Sequence, residues 1–405
     1  MRQQTYVIVG ASLAGASAAA ALRKRGFDGR IVLFGEEPER PYERPELSKK
    51  YLRGELDGPV FVHDEEFYES ASIELRTAEP VEAIDSRARE VRTARGTTRF
   101  DGLVLATGST ARALQVPGGD LEGVVTLRSV ADADALRERA LTAESIVVVG
   151  GGWIGSEVAA SLRQLGRNVT LVMPTDMPLE RVLGREVGAV YRRAHETNGV
   201  TLVTGTTVHG VLGADRAERV VTGDGRVIDA DLVVVGIGAT PRTELGAAAG
   251  LAVEDGIVVS EGLEAGPGIF AVGDVANAWH PRYERHLRVE HWDNAKRQGR
   301  LAAANLLGAA KGYDRIPYFY SDQYDLGMEY TGYATNWDEV VFRGDVESKE
   351  FIAFWVADGR VVAGMNVNAW DVAPTIERLI RSGDPVDIAR LTDRAAPLDD
   401  LVAVG

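Results

Sequence analysis

The sequence predicts an α/β protein made of two parallel βαβ units and a small α+β segment at its C-terminal end. Three observations carry this expectation. A strand, a glycine turn, a helix and a second strand follow one another from residue 6; the pattern recurs from residue 145; and after about residue 317 it gives way to short alternating strand-like runs. At 405 residues the chain is also too long for one core, which points to two or three domains.

The first unit begins with the β-branched-rich run 6–9, followed by Gly10-Ala11-Ser12-Leu13-Ala14-Gly15. Residues 14–25 are rich in Ala and Leu, as suits a helix packed on a sheet, and 30–34 read as the next strand, closing on Gly35-Glu36-Glu37. Each part has a physical task. Gly10 allows the tight turn, Gly15 permits close helix–sheet packing, and the helix N-terminus faces a pyrophosphate. Glu36 lies 21 residues after Gly15, where a carboxylate accepts hydrogen bonds from a ribose diol. Ser12 stands at the place of the middle glycine, and its small side chain still lets phosphate approach the backbone. The whole reads as a Rossmann-type dinucleotide fingerprint.

The second unit has the apolar strand 145–149, then Gly150-Gly151-Gly152-Trp153-Ile154-Gly155, then a helix over about 156–165 ended by Gly166, then the strand 168–173. All three fingerprint glycines are present, at 150, 152 and 155. The residue closing the strand is Met173, followed by Pro174-Thr175-Asp176, so no acid stands there to select an unphosphorylated ribose. No arginine stands there to receive a 2′-phosphate either. NADH is preferred over NADPH, with NADPH left open. Two fingerprints imply two bound dinucleotides, in preference to a repeat with one site decayed.

Composition narrows the chemistry. The chain carries 60 acidic and 45 basic residues, a formal charge of −15, which argues against general nucleic-acid binding. It has no cysteine, which excludes disulfides, thiolate metal sites and a redox-active cysteine pair. Electrons must then travel through a bound organic cofactor or a non-thiolate metal. No signal-peptide pattern and no membrane-length apolar run is visible, and a cytoplasmic location is expected.

Further segments occur in a telling order: GASLAG at 10–15, RPYERPELSK at 40–49, LATG at 105–108, GGGWIGSE at 150–157, GIGATPR at 236–242, AVGD at 271–274, HWDNAKRQG at 291–299 and YFYSDQ at 318–323. Through these the chain resembles, nearly end to end, the NADH-dependent ferredoxin reductases of the putidaredoxin-reductase and dioxygenase-reductase type, within the two-dinucleotide flavoprotein superfamily. The resemblance implies a glutathione-reductase-like fold of two Rossmann-like domains plus a small α+β domain. Its expected divisions are an FAD domain over 1–113 and 243–316, an NAD(P)H domain over 114–242, and a C-terminal domain over 317–405.

The resemblance further implies FAD contacts at Gly10, Ser12, Leu13, Ala14, Gly15, Glu36, Arg44, Lys49, Val81, Ala106, Thr107, Gly108, Arg128, Gly273, Asp274, His291, Trp292, Ala295 and Tyr320. Tyr320 stands where the family usually has tryptophan. NAD contacts are implied at Gly150, Gly152, Trp153, Ile154, Gly155, Glu157 and Gly238. Lys49 and Glu157 are the implied catalytic pair, Lys49 stabilising negative charge on reduced flavin and Glu157 orienting the nicotinamide carboxamide. The implied partner is a small iron–sulfur ferredoxin of 2Fe–2S or 3Fe–4S type, acting for a cytochrome P450 or a ring-hydroxylating dioxygenase. Such a partner is usually acidic, so docking on an acidic protein needs a local basic face; Lys296, Arg297 and Arg300 fall on one helix and supply it. Rubredoxin reductases, monodehydroascorbate-type reductases and an apoptosis-inducing-factor-like NADH sensor are the alternative readings.

Overall fold

Short runs of Val, Ile and Leu form the central strands because parallel strands covered on both faces must be apolar along their whole length. The computed structural model describes residues 3–401. The chain divides into two units, the first made of 3–44, Pro59–Thr110 and Ala239–Arg315, the second of Pro45–Gly58, Ala111–Gly238 and 316–401.

In the first unit a six-stranded sheet runs in the order Glu264–Gly266, Ile269–Ala271, Gly102–Leu105, Thr5–Val9, Arg30–Phe34, Ile73–Arg76. The inner pairs are parallel, Val9 opposite Phe34 on one side and opposite Leu105 on the other. The Leu13–Lys24 helix crosses between the Thr5–Val9 and Arg30–Phe34 strands. It packs against the Trp292–Leu306 helix through small residues: a Cβ on Gly299 would lie 2.3 Å from the Ala14 carbonyl oxygen. Two three-stranded sheets also belong to the unit, one from Val81–Asp85, Glu90–Thr93 and Gly96–Arg99, the other from Ile257–Val259, Ala276–His280 and Arg285–Leu287.

The second unit repeats the plan. Its five-stranded parallel sheet has the order Thr201–Val203, Asn168–Val172, Ser145–Val149, Leu232–Val235, Val124–Thr126. The Trp153–Gln164 helix crosses from the central strand to its neighbour, with Val149 opposite Val172. It starts at Trp153, three residues before the expected 156, because Gly152 serves as its extended N-cap.

The tail forms an antiparallel sheet, Tyr318–Gln323, Leu326–Gly332, Arg360–Val367, Glu350–Ala357, Glu339–Asp345, with the Ala373–Ser382 helix beside it. Its other face buries Phe351, Trp355 and Met365 with Leu183, Val187 and Tyr191 of the Glu180–Thr197 helix. Trp355 Nε1 donates to the Leu183 carbonyl at 3.2 Å, at the kink made by Gly184. This shared core explains why the tail groups with the second parallel sheet in one unit. His195 of the same helix is wholly buried, its Nδ1 lies 3.0 Å from the Tyr324 hydroxyl, and burial lowers its pKa to about 4, so it is neutral.

Candidate functional site

The turn after the first strand is fixed by backbone contact. Gly10 has φ +113°, and a Cβ there would lie 2.1 Å from the Ala106 carbonyl oxygen; on Gly15 it would lie 2.0 Å from that of Gly10. Neither position can hold a side chain, so strand, turn and helix are drawn together as a phosphate cradle requires. Ser12 is the helix N-cap, yet its hydroxyl makes no capping bond, leaving the first-turn N–H groups uncapped by a side chain.

Around this turn the first unit assembles Ala14, Gly273 and Ala295. A Cβ on Gly273 would sit 3.2 Å from that of Ala14 and 3.7 Å from that of Ala295. The Gly273 N–H donates to buried Gln298 Oε1 at 2.8 Å, and Asp274 accepts from Ser109 Oγ at 3.0 Å. Arg44 donates to the Tyr42 hydroxyl at 3.0 Å and pairs with Glu37. Burial opposes its charge, but Tyr42, Glu37 and Asp274 more than offset that and raise its pKa. Glu36 extends past the second strand, half exposed, with Oε2 2.5 Å from Arg242 Nη1. Val81 packs against the core of the unit. His291 caps the Trp292–Leu306 helix by accepting from Asp293 N–H at 3.3 Å.

The second turn has the same construction. Gly150 has φ +109°, a Cβ there would lie 2.4 Å from the Gly236 oxygen, and one on Gly155 would lie 1.9 Å from the Gly150 oxygen. At Gly152 no atom lies within 4 Å of where a Cβ would be, so this flank is open. Ile154 is exposed on the first helical turn, Trp153 meets Phe319 edge-on at 4.7 Å, and Gly238 at φ +106° accepts from Arg112 N–H at 3.0 Å. Both turns thus fit a dinucleotide pyrophosphate. Met173 is wholly buried beneath Gly151, where a Cβ would come 2.5 Å from its sulfur. In strand register Met173 is the counterpart of Gly35, and Pro174 that of Glu36.

The implied catalytic pair is formed within the second unit. Lys49 Nζ and Glu157 Oε2 are 2.8 Å apart, with side chains only 5% and 4% exposed. Lys49 also donates to the Pro45 carbonyl at 3.0 Å. Ser48 Oγ donates to Glu157 Oε2 at 2.5 Å and Ser321 Oγ to Oε1 at 2.7 Å, so both carboxylate oxygens are held. Ser161 Oγ in turn donates to the Ser48 carbonyl at 2.6 Å. Tyr320, next to Ser321, places its ring centre 5.8 Å from Lys49 Nζ. A buried charge pair is tolerable only with such hydrogen bonding on its remaining lone pairs.

The structure therefore gathers Gly10, Ser12, Leu13, Ala14, Gly15, Glu36, Arg44, the 106–108 turn, Gly273, Asp274, His291, Trp292 and Ala295 in one unit. Lys49, Arg128, Glu157, Tyr320 and the second glycine turn belong to the other. Ser48, Ser109, Ser321, Arg242 and Gln298 are contributors that the sequence reading did not single out. Ser48 and Ser321 had one available signal, adjacency to Lys49 and Tyr320.

Of the basic trio, Lys296 lies 4.3 Å from the Trp292 ring centre and Arg297 pairs with Asp293 at 2.8 Å. Arg300 is exposed and has no ion-pair partner among the described residues. Burial holds the pKa of His63 below its ordinary value against the pull of Asp64, and Lys296 and Arg300 lower it further. Among the described residues no helix is long and apolar enough to cross a membrane, and no group of His, Asp and Glu could hold a metal ion.

Two nucleotide cradles of one construction, with a buried lysine–carboxylate pair in the second unit, define an oxidoreductase that works between two dinucleotides. Residues 4–299 match the pyridine nucleotide-disulphide oxidoreductase family, and 318–402 match the reductase C-terminal domain. The chain belongs to that family, binding FAD and a nicotinamide dinucleotide, although with no cysteine it lacks the disulphide of the family's name. It is 42% identical to the ferredoxin–NAD(+) reductase component of the anthranilate 1,2-dioxygenase system of Burkholderia cepacia, over 97% of this chain and 98% of that one. With putidaredoxin reductase of Pseudomonas putida it shares 36% identity over 98% and 96%. The crystal structure of a ferredoxin reductase from Rhodopseudomonas palustris superposes with a TM-score of 0.95 at 34% identity, covering 99% of this chain and all of that one.

Proposed function

We propose that the protein takes electrons from NADH and passes them by way of FAD to a small iron–sulfur ferredoxin, of 2Fe–2S or 3Fe–4S type, that serves a cytochrome P450 or a ring-hydroxylating dioxygenase. The observation that carries the reading is the pair of glycine turns in a chain without cysteine, together with relatives named as ferredoxin reductases. Bound FAD accepts a hydride as an electron pair and can return electrons singly, which a one-electron carrier needs.

The residues of the chain supply alignment and charge. Glu157, with both oxygens held by Lys49, Ser48 and Ser321, cannot swing, so a lone pair left on it orients the carboxamide of a nicotinamide at little entropic cost. Lys49 spends two of its three donors on Pro45 and Glu157; the third, with the positive charge, stabilises negative charge that develops on the reduced cofactor. Asp274, oriented by Ser109, accepts from the hydroxyls of the ribityl chain. An acidic ferredoxin is received on the exposed cation of Arg300 with Lys296 beside it, while Arg297, already paired with Asp293, contributes less.

The test is steady-state reduction of a panel of ferredoxins by the purified yellow protein, with NADH and NADPH compared. NADH-driven reduction of at least one ferredoxin is expected, and none with any member of the panel or either coenzyme would refute the reading. Arg300→Glu should slow ferredoxin reduction roughly tenfold at low salt yet leave reduction of a small uncharged artificial acceptor such as a benzoquinone unchanged, as a steering charge affects association of a charged protein. Equal loss in both assays would remove the docking role.

A further inference from the structure

The second unit lacks an acid at the end of its second nucleotide strand, where the first has Glu36. It nevertheless presents a carboxylate from the loop that follows. Residues 174–178 leave the strand and return to the glycine turn. The loop is anchored at its start by Met173 N–H donating to the Val203 oxygen at 2.9 Å and Thr206 N–H to the Met173 oxygen at 3.2 Å. At its end Leu179 N–H donates to the Gly151 oxygen at 2.8 Å. A loop pinned between strand end and glycine turn borders the place where a βαβ unit seats the adenosine ribose.

Asp176 is the carboxylate on this loop. Its Oδ2 is 2.8 Å from Arg185 Nη1, which also lies 3.1 Å from Glu180 Oε1. Glu180 Oε2 accepts from Met177 N–H at 2.9 Å, tying the loop to the helix that carries Arg185. Arg192 Nη1 donates to the Asp176 carbonyl at 3.3 Å. Asp176 Oδ1 has no hydrogen-bond partner among the described residues. The first unit offers the same device: Glu36 Oε2 is held by Arg242, and Oε1 has no partner among the described residues. Side-chain exposures match as well, 55% for Glu36 and 53% for Asp176.

We propose that Asp176, steadied by Arg185, is the coenzyme-specificity residue of the nicotinamide-dinucleotide site, standing in for the missing strand-end acid. Its free oxygen accepts from the 2′-hydroxyl of the adenosine ribose. A 2′-phosphate at that position meets the Asp176 and Glu180 carboxylates, which share the Arg185 guanidinium, and is repelled; Arg192, on the loop carbonyl, is itself paired with Glu196 at 2.9 Å. Arg185 is the latent counterpart: released from Asp176, it can pair with a 2′-phosphate. The inference rests on the reading of the second turn as the NADH site.

The experiment measures dissociation constants for NADH and NADPH by anaerobic fluorescence titration of the FAD-loaded protein with its flavin already reduced by dithionite, so that no hydride is consumed, and kcat/KM for both. Asp176→Asn should weaken NADH and strengthen NADPH, shifting the ratio of their dissociation constants roughly tenfold or more, the scale of one hydrogen bond to a charged group. Adding Arg185→Ala to that variant should abolish the gain for NADPH. A ratio within about twofold of the parent in Asp176→Asn, with NADH still bound, would overturn the role of Asp176 but leave the site standing. No binding of either coenzyme by the parent protein would instead sink the reading of the site.

Discussion

The two glycine turns are the same object built from different residues. In each, the first glycine sits at φ above +100° against a carbonyl of a neighbouring strand end, and the last glycine touches the carbonyl of the first. Each turn is also stitched identically, Gly10 N–H to the Phe34 oxygen and Gly150 N–H to the Val172 oxygen, both at 2.8 Å. They differ at all four positions in between, two of which precede the helix. The middle position is Ser12, half-buried, in one and Gly152 in the other, where no atom lies within 4 Å of a Cβ. The second position shows an exchange of volume: Ala11 over Gly35 in the first unit, Gly151 over Met173 in the second. Backbone contact fixes the outer glycines, the need for ligand access governs the middle one, and the remaining pair has only to fill a given volume.

The outer glycines give the largest expected effect. Gly10→Ala combines an unfavourable φ with a methyl 2.1 Å from a carbonyl oxygen, and its cost should exceed about 3 kcal/mol of local stability. The purified variant should carry at most about a tenth of the flavin absorbance of the parent. Gly155→Ala has its own clash, 1.9 Å from the Gly150 oxygen. It should keep its flavin while losing reduction of that flavin by NADH. Normal flavin content in the first variant, or normal NADH reduction in the second, would break the claimed equivalence of the turns.

What was legible in the sequence follows the same division. The strands 30–34 and 145–149 lie where the β-branched runs and glycine punctuation place them, and the alternating runs expected after about residue 317 form the tail strands, three of which begin at Glu339, Glu350 and Arg360. Local pattern decides such elements. The Glu157 network was not legible as a network. It joins residues 108, 109 and 164 positions apart, and no periodicity links a serine on one segment to a carboxylate on another. Nor does composition reveal that Pro45–Gly58 groups with the second unit, or that Arg297 is already paired with Asp293. Met173 was legible as the absence of an acid, but its task as a buried filler beneath Gly151 emerges only from packing.

A smaller effect is expected at the middle positions, where it separates ligand access from folding. Gly152 has φ −80° and ψ −173°, a conformation open to any residue, and a methyl there meets no protein atom within 4 Å. Gly152→Ala should leave the melting temperature unchanged or slightly higher, since alanine narrows the unfolded ensemble. It should nevertheless weaken NADH binding roughly tenfold, because the methyl stands where phosphate approaches the backbone. Ser12→Gly should change FAD retention by less than about twofold, its hydroxyl making no capping bond. A stability loss in Gly152→Ala equal to its binding loss would show that the flank is packed rather than open.

The volume exchange predicts the smallest effect and the sharpest form of the comparison. Gly151→Ala alone pushes a methyl to 2.5 Å from the Met173 sulfur, a flexible side chain that can yield, so its cost should be about 1–3 kcal/mol. Met173→Ala alone leaves a cavity in a wholly buried site and should cost about 2–5 kcal/mol. Combined, the two approach the arrangement of Ala11 over Gly35, and the added methyl enters the space the methionine vacated. The double variant should therefore be more stable than the sum of the single losses by about 1 kcal/mol, read from unfolding of the three variants against the parent. Strict additivity would mean that the two positions do not share one volume, and that the likeness of the turns ends at their outer glycines.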